Sequence, residues 1–365
     1  MGFYMVETKS KRIFYLDALR AVAILTVIAV HVYAVTRVHV IADMATGPSL
    51  RWLVSQFTGN NLRIGVDLFL MLAGALSLGR QWTIKEFLGK RIPRIVEPFV
   101  FWGLITGAIG VIASYYFAYP FIHSFDVNSI LYYFYGVFMS TSPGFAPYWF
   151  FWMILGTYLI MPIFNKWLQH SDLKEAEYFL FFWLVTCLFD FTLNIDFPIK
   201  LSYFISPIGL VIAGYYLRHT KRKLLNNPYF ALLLTVLSAA LIMVIVTYFS
   251  TSTHIHTINR YSLPITLEVI GVFLLFKNFN GFGVDLSFIK NENGLFRRFV
   301  SLVAKYSYGI YLIQGLFLCL YVKILPYHDI YSLMIILFVL IVASSMLTMY
   351  LFSKIKPINK FIGAK

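Results

Sequence analysis

The stretch from Leu16 to Ala34 reads LDALRAVAILTVIAVHVYA and decides the fold class. It is apolar over nearly its whole length and, as a helix, is long enough to cross most of the roughly 30 Å of hydrocarbon in a bilayer. It nevertheless carries an acid, a base and an imidazole, namely Asp17, Arg20 and His31. Ionisable groups are costly inside a membrane helix and usually mark function. The stretch therefore predicts a membrane helix with a functional polar face.

The whole chain has the composition of a polytopic membrane protein. Its mean hydropathy is +0.75, 59% of its residues are hydrophobic and 13% are charged, whereas soluble domains carry about 25% charged residues. We predict an all-α bundle of about ten transmembrane helices, with a cytoplasmic N-terminus over 1–12, a transmembrane domain over 13–352 and a cytoplasmic tail over 353–365. The predicted spans cover residues 13–36, 63–79, 95–118, 146–165, 177–194, 201–217, 229–250, 262–279, 306–325 and 331–352.

The distribution of basic residues indicates how these spans are oriented. With both termini in the cytoplasm, 23 of the 30 Lys and Arg residues fall on the cytoplasmic side and 6 on the outer side, as the positive-inside rule expects. The net charge of +14 is therefore interpreted as a topology signal rather than as a nucleic-acid footprint, since the basic residues are not gathered on one soluble module. No connection is long enough for a soluble catalytic domain, which places any chemistry in the membrane body or its short loops.

Arg20 and His31 are predicted to share one face of the first helix. They are eleven residues apart, which is almost three whole turns, and roughly 16 Å apart along the axis. Asp17 precedes Arg20 by three residues and is predicted to pair with it in a structural role. His31 is the one histidine of eight that falls within a predicted span, which favours a functional imidazole over a merely structural one.

Five stretches along the chain form a recognisable series. They are LDALRAVAILTVIAVH (16–31), IGVDLFLMLAGALSLGR (64–80), KRIPRIVEPF (90–99), PYWFFWMILGTYLIMPIF (147–164) and YSYGIYLIQ (306–314). In content and order they resemble the motifs of the acyltransferase-3 family of integral membrane acyltransferases, whose first helix carries an Arg and, eleven positions on, a His. KRIPRIVEPF resembles the family's basic turn entering the third helix. The chain departs from the family pattern at Ala73, where the family has Ser, and at Gln314, where a late motif often ends in His.

The resemblance implies an enzyme that transfers an acyl group, usually acetyl from acetyl-CoA, to a hydroxyl of a surface polysaccharide or its lipid-linked precursor. The chain looks like the single-domain type, similar to the O-acetyltransferases of enterobacterial common antigen and of intercellular-adhesin polysaccharide. The implied location is the bacterial plasma membrane, and the implied partners are the lipid bilayer and a glycan or lipid-linked saccharide, with no nucleic acid. We expect acetyl-CoA as co-substrate and no metal. The sequence does not determine whether the acyl group is acetyl or a longer group such as succinyl, and it does not determine the oligomeric state.

Acyl transfer from a thioester needs a base for the acceptor hydroxyl and stabilisation of the developing oxyanion. We expect His31 to be the general base, because an imidazole titrates near neutral pH. Asp67 is predicted at the same depth and is expected to orient the imidazole; an acid in the first turn of its helix, without a catalytic role, is an equally good interpretation. Arg20 is expected to bind phosphate or pantetheine, or to polarise the thioester carbonyl.

The donor's phosphates also need cations. Arg91 and Arg94 lie three residues apart at a predicted helix entry, and guanidinium groups bind phosphate bidentately. Lys90 is a weaker candidate for binding the same phosphates. The alternative is that these residues are basic for topology alone.

Three other functions fit parts of the pattern. A transporter or flippase for a glycolipid or small acid would also line a bundle with polar groups, but it would not require acyl-CoA. An inactive scaffold on the same fold is favoured by Ala73 and Gln314. A member of the other large superfamily of membrane acyltransferases would carry its buried His deeper in the chain. Direct transfer and an acyl-histidine intermediate are both compatible with the residues.

Overall fold

The computed structural model describes residues 13–41, 47–117, 121–122, 124–141, 148–195, 207–251, 254, 256–283, 294–326 and 329–364. Within these residues the chain forms α-helices, short 3₁₀ and π turns and no strand, which confirms the predicted all-α class. In chain order the helices are α1 (Phe14–Ile41), α2 (Leu50–Asn60), α3 (Ile64–Ser77), α4 (Ile84–Phe117), α5 (Val127–Met139), α6 (Trp149–His170), α7 (Leu173–Leu188), α8 (Pro207–His219), α9 (Pro228–Phe249), α10 (Leu263–Asn278), α11 (Leu295–Ile324) and α12 (Ile330–Lys354).

Seven of the described helices, some with their adjoining turns, are long and apolar enough to cross a membrane: α1, α4, α7, α9, α10, α11 and α12. The outer face of α9 shows why a bilayer is required, since Leu233 and Val244 are 55% and 64% exposed and would otherwise meet water. Each predicted span overlaps a helix, although residues 201–206 of the span 201–217 lie outside the described residues. The helices α3, α6 and α8 do not reach the length and hydropathy of a span. The count of ten spans is therefore not confirmed, and the cytoplasmic termini stay a prediction.

Two predicted boundaries are wrong for one physical reason. The helices α4 and α11 begin at Ile84 and Leu295, each eleven residues before the predicted spans at 95 and 306. Hydropathy marks only the apolar part of a helix, whereas both helices continue into a basic, polar layer. The segment KRIPRIVEPF is consequently helical throughout, with Pro93 and Pro98 inside α4, and is not the turn that the resemblance implied.

The first helix lies at the centre of the bundle. It packs against α2, α3, α11 and α12, and Leu19, Ile24 and Ile28 on it are at most 1% exposed. At Gly65, α3 comes so close to α1 that a Cβ atom would collide with the Ala23 carbonyl oxygen. Residues placed on the polar face of α1 are therefore held inside the protein, away from lipid.

Two glycines allow α3 and α8 to pack backbone to backbone. A Cβ atom at Gly74 would overlap the backbone of Val211, and one at Gly214 would overlap the backbone of Met71. Small residues let membrane helices approach closely and gain dispersion contacts and hydrogen bonds that lipid cannot replace. This contact fixes α3, and with it the residues that α3 presents to α1.

We predict that Gly74→Ala destabilises the protein, because the added methyl group forces α3 away from α8; overpacking of this kind typically costs about 1–3 kcal/mol. The measurement is the thermal unfolding midpoint in detergent. The matched control is Gly156→Ala on α6, where a Cβ atom meets nothing within 4 Å. Equal midpoints for the two variants would contradict the close contact.

Candidate functional site

A cavity of about 400 Å³ lies between α1, α3, α4, α6, α8 and α11. Six basic side chains and one acid, Asp17, line it, and we refer to it as the basic cavity. The basic residues are Arg20, Arg80, Arg91, Arg94, Arg218 and Lys305.

The pair predicted within the first helix is present. Arg20 Nη1 lies 3.2 Å from Asp17 Oδ1, as expected for residues three apart on a helix. Asp17 is 8% exposed, and it is the single carboxylate set against six cations in the lining of the cavity. The cavity therefore keeps a strong positive charge, which is what an anionic ligand requires.

The structure brings Arg20, Arg91 and Arg94 together, as the predicted roles require, but it does not bring Lys90 with them. The positive charges of Arg20, Arg80 and Arg94 act on Arg91. The Lys90 ammonium instead lies over the ring of Trp82, 4.9 Å from its centre, and does not line the cavity.

Three further cations of the cavity were not singled out by the sequence. Arg80 follows α3, Arg218 ends α8 and Lys305 lies on α11. Arg218 also donates to the carbonyl oxygen of Ala75, which ties α8 to α3. All three come from segments predicted as cytoplasmic, so the positive-inside pattern predicted them on one side of the membrane without showing that they meet.

The inner wall of the basic cavity is apolar and aromatic. Ala73 and Ile154 line it together with Phe69, Phe150 and Tyr311. The ring of Phe150 lies 6.0 Å from that of Phe69 and 5.5 Å from that of Tyr311, measured between ring centres. We call these three rings the aromatic layer. Because Ala73 stands where the family pattern has Ser, this wall offers no hydroxyl at that position.

A second pocket, of about 110 Å³, lies farther along α1 and contains His31; we call it the His31 pocket. Its polar lining consists of His31, Arg63, Trp149 and Arg260, and its apolar lining consists of Val27, Val30, Leu62 and Val66. Trp149 directly precedes Phe150, and Val66 lies one turn before Phe69 on α3. The aromatic layer therefore lies between the His31 pocket and the basic cavity.

His31 keeps an unused ring nitrogen inside the protein. Its Nδ1 atom is buried without a hydrogen-bond partner, and the side chain of Gln314 on α11 interacts with the imidazole. The Gln314 amide nitrogen lies 3.5 Å from the Tyr311 carbonyl oxygen, while its own Oε1 atom has no partner. Buried polar atoms are nearly always satisfied, and the two unpaired atoms belong to side chains that interact with each other, so His31 and Gln314 form one polar cluster.

Asp67 does not contact His31 in the way that the sequence suggested. Its Oδ1 atom accepts a hydrogen bond from Arg260 Nη2 at 2.9 Å, and its side chain is 1% exposed. Arg260 also lies over the ring of Trp149, 4.8 Å from its centre. The carboxylate is thus connected to the His31 pocket through Arg260, and a direct orienting role for Asp67 has no contact to support it here.

The described residues contain no cluster of three or more His, Cys, Asp or Glu side chains that could hold a metal ion. Cys187 is a buried thiol outside any disulfide. The groups that the structure gathers along α1 include guanidinium groups, one ammonium, the carboxylates of Asp17 and Asp67, an imidazole and an amide.

Comparison with known families matches residues 13–354 to the acyltransferase-3 family, which is described as an acyltransferase domain. The matched segment runs through all of the described helices, from α1 to the end of α12. No curated protein and no solved structure matches the chain.

We predict that Asp67 and Arg260 are coupled in stability. Removing one partner of a buried ion pair leaves an uncompensated charge and typically costs about 3–5 kcal/mol. Asp67→Asn and Arg260→Gln should each lower the thermal midpoint in detergent, and the double variant should recover part of the loss. Strictly additive losses would show that the two side chains do not interact.

Proposed function

The chain belongs to the acyltransferase-3 family, and from that premise we propose that it is a membrane O-acyltransferase acting on a surface glycan. It moves a short acyl group, acetyl or similar, from acyl-CoA to a sugar hydroxyl of a cell-surface polysaccharide or of its lipid-linked precursor. The proposed location is the bacterial plasma membrane, and acetyl-CoA is the proposed donor.

The observation that carries this proposal is the basic cavity. The nucleotide of CoA presents a 3′-phosphate and a pyrophosphate, and guanidinium groups bind phosphate oxygens in pairs. Arg91, Arg94 and Arg80 supply such groups from one side of the cavity, and Arg218 and Lys305 supply charge from the other helices. The volume of about 400 Å³ lies within the range of cofactor pockets.

The acyl arm of the donor is proposed to follow α1 from the basic cavity towards His31. The two ends of this path, Arg20 and His31, are roughly 16 Å apart along the helix axis. The wall between them is apolar, which suits a pantetheine arm and excludes water from the thioester. The rings of the aromatic layer contact one another on this proposed path, so transfer is proposed to require at least one of them to turn aside.

In the proposed reaction His31 takes the proton of the acceptor hydroxyl, and the hydroxyl oxygen attacks the thioester carbonyl. The tetrahedral intermediate expels the CoA sulfur, which leaves as the thiol once it receives that proton. Gln314 orients the imidazole. An alternative with the same residues has His31 attack the thioester first, so that the acyl group passes through an acyl-imidazole before it reaches the sugar oxygen.

A transporter is the second candidate, and one observation favours it. Two polar pockets on either side of the aromatic layer, along one helix, would also suit a path for a small anion across the bundle. The requirement for acyl-CoA separates the two functions, since a transporter needs none.

The test is acyl transfer by the purified protein in nanodiscs, with radiolabelled acetyl-CoA and a cell-envelope glycan extract. We expect CoA release and labelled glycan. His31→Gln should reduce the rate by about 10²–10⁴-fold, the usual contribution of a general base, while acetyl-CoA still binds. A folded His31→Gln protein with full activity, or the absence of transfer from any acyl-CoA, would contradict the proposal.

The phosphate-binding role has its own test. Arg91→Gln and Arg94→Gln should raise the KM for acetyl-CoA by about tenfold or more each, because each removes a charge-assisted contact worth about 1.5–3 kcal/mol. The matched control is Lys85→Gln, an exposed basic residue on the same helix that does not line the cavity. Equal KM values for the three variants would place the nucleotide elsewhere.

A further inference from the structure

The His31 pocket contains positive charge that acyl transfer itself does not use. Arg63 and Arg260 both line it beside His31. The charged groups that act on Arg63 are Arg260, Asp67 and Arg37. The three guanidinium groups of Arg37, Arg63 and Arg260 are thus balanced by one carboxylate, that of Asp67. Two positive charges are left uncompensated among these four residues.

The contacts of the two arginines leave capacity for a ligand. Arg63 Nη1 donates to the carbonyl oxygen of Ile258 at 2.9 Å, a neutral partner that does not cancel its charge. Arg260 Nη2 donates a hydrogen bond to Asp67 Oδ1, and the guanidinium group lies over the rings of Trp149 and Tyr261. Its Nε atom is buried and has no hydrogen-bond partner. The aromatic faces and the ion pair hold this guanidinium in place while one of its donors stays unused.

Uncompensated charges are costly in a membrane protein and are kept where a ligand balances them. The planar fork of an arginine matches the oxygen atoms of a carboxylate or a phosphate. The pocket volume of about 110 Å³ suits such a group together with part of a sugar ring.

We infer that the His31 pocket binds an oxyanion of the acceptor at Arg63 and Arg260, so that the substrate is an acidic saccharide rather than a neutral one. This inference rests on the proposed function in that the acceptor is a saccharide. The oxyanion is either a carboxylate on the sugar or a phosphate of a lipid-linked sugar. Anchored there, it holds a neighbouring hydroxyl against His31 and so selects the position that is acylated.

The test measures binding and does not depend on acyl transfer. Purified protein in nanodiscs is titrated with trigalacturonate, with its methyl ester, which keeps the hydroxyl groups and loses the charge, and with a polyisoprenyl phosphate added to the nanodisc. We expect at least one charged probe to bind tenfold or more tightly than the neutral ester. Arg63→Gln should weaken that binding by about tenfold or more, and Arg63→Lys should restore part of it.

Two variants guard against misfolding and general charge effects. Asp67→Asn with Arg260→Gln removes both members of the ion pair and should also lose the charged probe. Arg51→Gln, an exposed arginine that pairs with Asp329, should bind it like the wild type. Binding of trigalacturonate alone, of the phosphate alone or of both supports an oxyanion site and identifies its source.

Two results would overturn the inference. The first is that neither charged probe binds more tightly than the methyl ester. The second is that Arg51→Gln weakens binding of the charged probe as much as Arg63→Gln does. Because CoA release is measured separately, a protein that transfers acyl groups and shows either result would keep the proposed function and lose only the acidic acceptor.

Discussion

Arg20 and His31 place a cation and an imidazole on α1, the described membrane-length helix with the largest buried share, and the packing around α1 must enclose both. A charged side chain at the centre of a membrane helix costs about 2.5–3.5 kcal/mol even on the mildest scale. Arg20 and His31 on α1 must therefore face protein rather than lipid. The close packing of α3 at Gly65 and of α11 beside α1 provides that enclosure, and the two pockets lie along the same polar face.

The sequence predicted the parts of the site that local geometry fixes. Helical spacing placed Arg20 and His31 on one face, and it predicted the Asp17–Arg20 pair that the structure contains. The meeting of Asp67 with Arg260 could not be predicted, because the two are 193 residues apart and Arg260 comes from a loop without a periodic pattern. Gln314 was noticed only as a departure from a motif, since nothing along the chain shows that α11 turns it towards α1.

In the proposed function the aromatic layer gives the two pockets separate tasks. The basic cavity is proposed to bind the nucleotide, and the His31 pocket is proposed to bind an acidic acceptor. Phe69, Phe150 and Tyr311 come from three different helices. Their contact depends on how α3, α6 and α11 pack, and no pattern in the sequence predicts it. In the proposed reaction this layer would keep water from the thioester until the acceptor is in place and so protect the donor from hydrolysis.

In the proposed mechanism one path along α1 joins the basic cavity to His31. An experimental structure in nanodiscs with a thioether analogue of acetyl-CoA would show this path directly. We expect the nucleotide phosphates to contact Arg91 and Arg94, and the acyl carbon to lie within reach of His31 past a displaced aromatic layer. A nucleotide bound outside the basic cavity, or an acyl end directed away from His31, would contradict the proposed mechanism.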